Sequence, residues 1–172
     1  MLRLAARIDR ISSAIGRFAA WLILALVAIQ FAVVLLRYGF SIGSVRLQES
    51  AVYAHALAFL LAAGWTLKSD AHVRVDLFYR GARPRTKALV DLFGTLFLLM
   101  PMAGLILWMS VPYAMRSWTI LERSQETSGL PLVFLLKTSI PLFAALVMLQ
   151  GVAEAMRAAS RFTKARGAEG GR

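Results

Sequence analysis

The chain has no cysteine in 172 residues, which excludes disulfides and thiolate metal sites. Acidic residues are scarce: nine Asp and Glu stand against 20 Lys and Arg, a net charge of +11. Only two histidines are present, His55 and His72. They fall at opposite ends of an apolar run about a membrane thick, so a haem held by paired axial histidines at one depth is excluded. Long charged stretches are missing as well. The cations sit in short blocks beside apolar segments rather than on one continuous face, which argues against a nucleic-acid partner and for juxtamembrane flanks meeting lipid. No nucleophile and base pair, metal-ligand cluster or phosphate-cradling glycine loop stands in a workable arrangement, so no catalysis, cofactor or metal is expected.

What is abundant is apolar side chain. With 59% hydrophobic residues and a mean hydropathy of +0.65, so short a chain cannot hide its apolar surface in a water-soluble core, and it reads as an all-α integral membrane protein. Spans are expected at 18–36, 51–67, 92–114 and 130–152, in a single membrane domain over 1–172 with a cytoplasmic tail at 157–172. Arg3, Arg7, Arg10 and Arg17 flank Leu4, Ile8, Ile11 and Ile15 at helical spacing. That pattern predicts an amphipathic helix lying on the inner membrane surface. The uncharged run after it is longer than a signal-peptide core and no cleavage pattern follows, so it reads as a retained span.

The loop from Lys68 to Asp91 holds six cationic residues. The N-terminus, this loop and the tail carry fifteen Lys and Arg, against four in the two other connections. The asymmetry predicts four spans with both termini cytoplasmic. Trp21 and Trp65 fall near inner ends and Trp108 and Trp118 near outer ends, as aromatic belts would place them. Ala51, Ala54, Ala58 and Ala62 share one helical face, a surface another helix can approach closely. Pro101 predicts a kink in the third span. Lys137 in the fourth is costly at membrane centre, so it either snorkels outward to lipid phosphate or marks an interfacial start. The ending Gly167-Ala168-Glu169-Gly170-Gly171-Arg172 predicts disorder.

The order Arg37-Tyr38-Gly39-Phe40, Glu49, His72-Val73-Arg74-Val75-Asp76, Pro131 and Ile140-Pro141-Leu142 resembles the small membrane subunit of tripartite ATP-independent periplasmic (TRAP) transporters. The runs Gly64-Trp65-Thr66-Leu67-Lys68 and Gly129-Leu130-Pro131 resemble most the branch labelled mannitol or chloroaromatic transport. Leu47-Gln48 stands where the family often has an aromatic. The resemblance implies a bacterial inner-membrane protein whose partners are a large multi-span, elevator-type subunit and a periplasmic substrate-binding protein. It implies import of organic acids or related solutes on an ion gradient, sodium being the expected ion, with this chain a scaffold lacking its own substrate site. Arg37, Tyr38, Glu49, His72, Arg74, Asp76, Lys137 and Pro141 are the signature and interface candidates. Glu49 pairs with Arg46 or Arg37 or meets a partner. The His72 to Asp76 run orders the hinge between spans two and three, or Asp76 caps a short helix while Arg74 meets lipid. The rival class is a stand-alone four-span exporter or a non-catalytic subunit of a membrane enzyme.

Overall fold

A computed structural model describes residues 2–72 and 81–170 of the chain, so Arg74 and Asp76 lie outside the described residues. The described residues form helices and turns with no strand, and four helical stretches are long and apolar enough to cross a membrane. The first, α1, runs Leu2–Gly39 and the second, α2, runs Val45–Lys68. Between them the Ile42 amide closes on the Leu36 carbonyl at 2.9 Å. Ser44 then caps α2, its Oγ accepting the Leu47 N–H at 3.3 Å, as a helix N-terminus with unpaired amides requires. At its other end α2 stops where Asp70 turns into the left-handed region, φ 53°, and the Ala71 amide reaches back to the Thr66 carbonyl at 3.1 Å.

The third stretch is composite. Pro84 opens α3, Pro84–Phe93, at a position where a missing N–H costs nothing. A π-helical segment, Gly94–Leu99, joins it to α4, Met100–Thr119. The sequence predicts a kink at Pro101, and the structure places the irregularity just before it. In an α-helical ladder the Phe97 carbonyl would face the Pro101 nitrogen, which carries no hydrogen. The wider ladder, in which the Met100 amide bonds the Thr95 carbonyl five residues back, brings the chain to Pro101 at the first turn of α4 instead. The last helix, α5, covers Val133–Gly170 and contains Pro141. Its 38 residues reach about 57 Å, roughly twice the thickness of a bilayer's hydrocarbon core.

Helix α5 is the hub. It packs against α1, α2, α3 and α4, whereas among the described residues the backbones of α3 and α4 do not approach those of α1 and α2. The buried positions are mostly small: Ala5, Ala19, Ala58, Ala144, Ala153 and Ala158 are each no more than 3% exposed. Bulky residues point outward, with Trp21, Phe31, Phe97, Leu98 and Trp108 among the most exposed. This inversion of the soluble-protein pattern is what a bilayer selects. Lipid tails reward no apolar burial, so helices associate through close approach of small side chains. At Gly16 a Cβ would come within 2.6 Å of Trp65 Cγ, so only glycine lets α1 and the end of α2 meet there.

The alanine face of α2 is a packing face, as its spacing predicts, and the helices that meet it lie within the chain: Ala51, Ala54 and Ala58 are buried, and Ala62 packs on the cluster of Ala19, Leu61 and Leu146 from α1, α2 and α5. Two expectations are corrected. The amphipathic N-terminus is not a separate surface helix but the opening turns of α1, with Ala5 and Ile8 packed on Ala153 of α5. Its stripe divides, because Leu4 and Ile11 stay exposed while Ile8 is covered. The glycine-rich ending stays helical to Gly170, continuing a segment that Arg157 and Arg161 tie to Asp9, Glu154 and Asp91.

Candidate functional site

Polar side chains collect at the two ends of the bundle. At the end formed by the starts of α2 and α5 and the close of α4, the connection 120–132 folds around Glu49. One Glu49 carboxylate oxygen accepts the Leu130 N–H at 2.5 Å, and the other accepts the Ser124 hydroxyl in a very short hydrogen bond. Ser124 also receives the Glu126 amide on its Oγ at 3.1 Å and donates its own amide to the Leu130 carbonyl at 3.2 Å. One glutamate thereby fixes both limbs of the loop. Gly129 makes the approach possible, since a Cβ there would stand 2.8 Å from Glu49 Oε1 and closer still to Ser124. Arg46, one helical turn before Glu49, donates to the Ser128 carbonyl at 3.2 Å. The sequence leaves open a Glu49 pairing with Arg46 or Arg37; the structure gives both Glu49 and Arg46 to the loop instead.

Lys137 sits in the second turn of α5 and forms an ion pair with Glu122 at 2.6 Å, its ammonium 4.3 Å from the centre of the Tyr113 ring. A protein carboxylate therefore takes the place expected for lipid phosphate. The Lys137 hydrogen bond holds the Glu122 carboxyl below its usual range, with the lysine's charge adding to the effect. Alongside, Trp118 donates its indole N–H to Thr138 Oγ1 at 2.8 Å and meets Phe134 edge-on at 4.6 Å between ring centres. These contacts join α4 to α5 where the intervening loop leaves the bundle.

The opposite end, which gathers the N-terminus, the close of α2, the start of α3 and the tail of α5, is the more basic one. Gln150, wholly buried, accepts the Ser12 hydroxyl at 2.7 Å and donates to Asp9 Oδ1 at 3.0 Å. Asp9 in turn pairs with Arg157 at 2.8 Å, and Arg157 with Glu154 at 2.6 Å. Arg161 extends the chain of charges more loosely, 3.6 Å from Asp91 and 3.9 Å from Glu154. Lys68 donates to Ser13 at 2.5 Å. The network ties α1 and α3 to the hub helix and α2 to α1, and Asp9 and Gln150 are members that no motif marks in the sequence. Their only trace is position: Asp9 is the one acid among the N-terminal arginines.

Of the other signature residues, Arg37 and Tyr38 end α1 exposed and belong to neither network, and Pro141 lies inside α5. His72 is exposed at the edge of the basic end. The structure thus brings Glu49 and Lys137 to one end and leaves His72 at the other. Among the described residues no group of three or more His, Cys, Asp or Glu is placed to hold a metal ion.

A family model described as "Tripartite ATP-independent periplasmic transporters, DctQ component" matches residues 26–161. The chain belongs to the DctQ family. No curated protein and no solved structure matches it. The DctQ match takes in Glu49, Glu122, Lys137 and the α5 side of the basic network, and it leaves Asp9 and Ser12 outside. The chain is accordingly a transmembrane component of a TRAP transporter, the small permease of a tripartite system.

Proposed function

We propose that the chain is a scaffold subunit that holds a large elevator-type membrane component in place and carries no solute itself. The observation that bears most weight is the distribution of ionisable groups. Glu49 and Glu122 lie at one end of the bundle and Asp9, Asp70, Asp91 and Glu154 at the other. Among the described residues the membrane-deep turns between hold no carboxylate to bind a cation or relay a proton. That distribution disfavours a stand-alone exporter. The outward faces of α1 and α4, rich in large apolar residues, supply the surface for the large partner.

The basic end faces the cytoplasm, in keeping with the excess of cations there, in a bacterial inner membrane. The loop clasped by Glu49 then faces the periplasm and helps to seat the substrate-binding protein. The solutes are organic acids or relatives, imported on an ion gradient such as sodium, and the signature runs favour the mannitol or chloroaromatic branch. Arg37, Tyr38 and His72, exposed at the two ends, are contact points with the partners, as are Arg74 and Asp76. Co-purification tests the assembly. A tagged chain is expected to retain the large component through detergent extraction, and Phe97→Glu with Trp108→Glu on the outward face is expected to release it. Retention unchanged by both charges would place the interface elsewhere.

A further inference from the structure

A cavity of about 840 Å³ opens at the basic end between α2, the α3 segment and α5. It lies where the backbones of α2 and α3 both pack on α5 but, among the described residues, do not approach each other. Much of its wall is apolar, from Ala63, Leu67, Val90, Leu99, Phe143 and Val147. The mouth is charged, with Lys68 and Arg161 among its lining residues beside Asp70, Asp91 and Glu154. Along α5 the lining runs from Phe143 to Arg161, about 27 Å at the helical rise. Along α5 the lining is therefore amphipathic, apolar at Phe143 and Val147 and charged at Glu154, Arg157 and Arg161.

We propose that this cleft binds a phospholipid from the leaflet at the basic end, its phosphate held by Lys68 and Arg161 and one acyl chain lying between α2 and α5. Lipid binding there is separate from any role in transport. Arg161 has donors to give: its side chain is 54% exposed, and its carboxylate neighbours stand 3.6 and 3.9 Å away, beyond good hydrogen-bond length. Arg157, by contrast, is occupied by Asp9 and Glu154. Among the described lining residues Asp70, Asp91 and Glu154 offset Lys68, Arg157 and Arg161, so the cations lining the cavity offer a free anion little net field by themselves. An amphiphile gains its affinity from the apolar walls and uses the cations to fix its headgroup. The π-helical segment contributes room. Gly94 lines the cavity, and a Cβ there would meet nothing within 4 Å.

That opening supplies the test. The full chain is purified in mild detergent, alone and with its large partner, and bound lipid is read by native mass spectrometry. Gly94→Phe directs a ring into the apolar limb from a position where a Cβ has open space, Arg161→Glu removes the phosphate ligand at a half-exposed position, and Val27→Phe adds similar bulk on the exposed face of α1. Expected is a phospholipid retained by the wild type and by Val27→Phe, lost in Gly94→Phe and Arg161→Glu, and not displaced by excess inorganic phosphate. Circular dichroism showing native helix content confirms that the losses are not unfolding, and Arg161→Glu alone decides if Gly94→Phe misfolds. Equal retention in wild type and variants, or displacement by inorganic phosphate, would overturn the site. So would a cysteine cross-link from Val147 to the large partner in lipid-free complex.

Discussion

Glu49 is the residue whose removal should be felt furthest from itself. It accepts from both Ser124 and Leu130, so Glu49→Ala leaves a hydroxyl and an amide without an acceptor and loosens the 120–132 loop, which then keeps the Arg46 to Ser128 bond as its side-chain tie to α2. Trypsin cleavage at Arg123, within that loop, is expected to accelerate in Glu49→Ala. Gly129→Ala should give the same phenotype, since its methyl would occupy the space of the clasp. The double variant should be little worse than either single one, the mark of residues acting through one structure. Glu122 makes a prediction of opposite kind, in pH. Its folded-state carboxyl titrates below the ordinary range because Lys137 bonds the charged form. Its contribution is therefore present in full above the ordinary carboxylate pKa and is lost as pH falls through the depressed folded value. Thermal melts in detergent should show an acid-side loss of stability across that window in the wild type, diminished in Lys137→Met.

Among the helices, the buried glutamine of α5 and the π segment before α4 invite separate tests. Gln150→Leu strands the Ser12 hydroxyl and one bond of Asp9 in a buried site, a loss of about 1–3 kcal/mol by the usual cost of an unpaired buried polar group. Denaturant or thermal unfolding of Gln150→Leu, Ser12→Ala and the pair should show coupling between them. The π segment behaves as one residue inserted into an α-helix. Deleting Leu96 is expected to restore a regular helix with α3 and α4 keeping their faces on α5. Deleting Ile106 within α4 should instead rotate the remainder of that helix by about 100° and break the packing of Ala114 and Ser117. Monodispersity in detergent separates the two outcomes.

Across the whole molecule, the features readable from sequence are those that depend on composition and local period. Long uncharged runs disclose four helices able to span, and the run of signature residues discloses the family. Contacts between distant positions are not readable. Asp9 and Arg157 lie 148 residues apart, and Glu49 and Leu130 lie 81 apart; neither pair belongs to a spacing that a helix or strand imposes. The alanine stripe of α2 is legible as a packing face, but periodicity says nothing of which helix covers it, and α1 and α5 within the chain already do. The π segment hides for another reason: Pro101 announces strain, while the backbone has more than one way to relieve it.

Taken as a scaffold without a membrane-deep carboxylate, the chain should matter to transport only through its partner. The most direct measurement is solute uptake into proteoliposomes holding the large component alone, this chain alone, or both, with the binding protein and an ion gradient supplied throughout. Uptake is predicted only when both membrane components are present. Full uptake by the large component without this chain, or any uptake by this chain without it, would contradict the account.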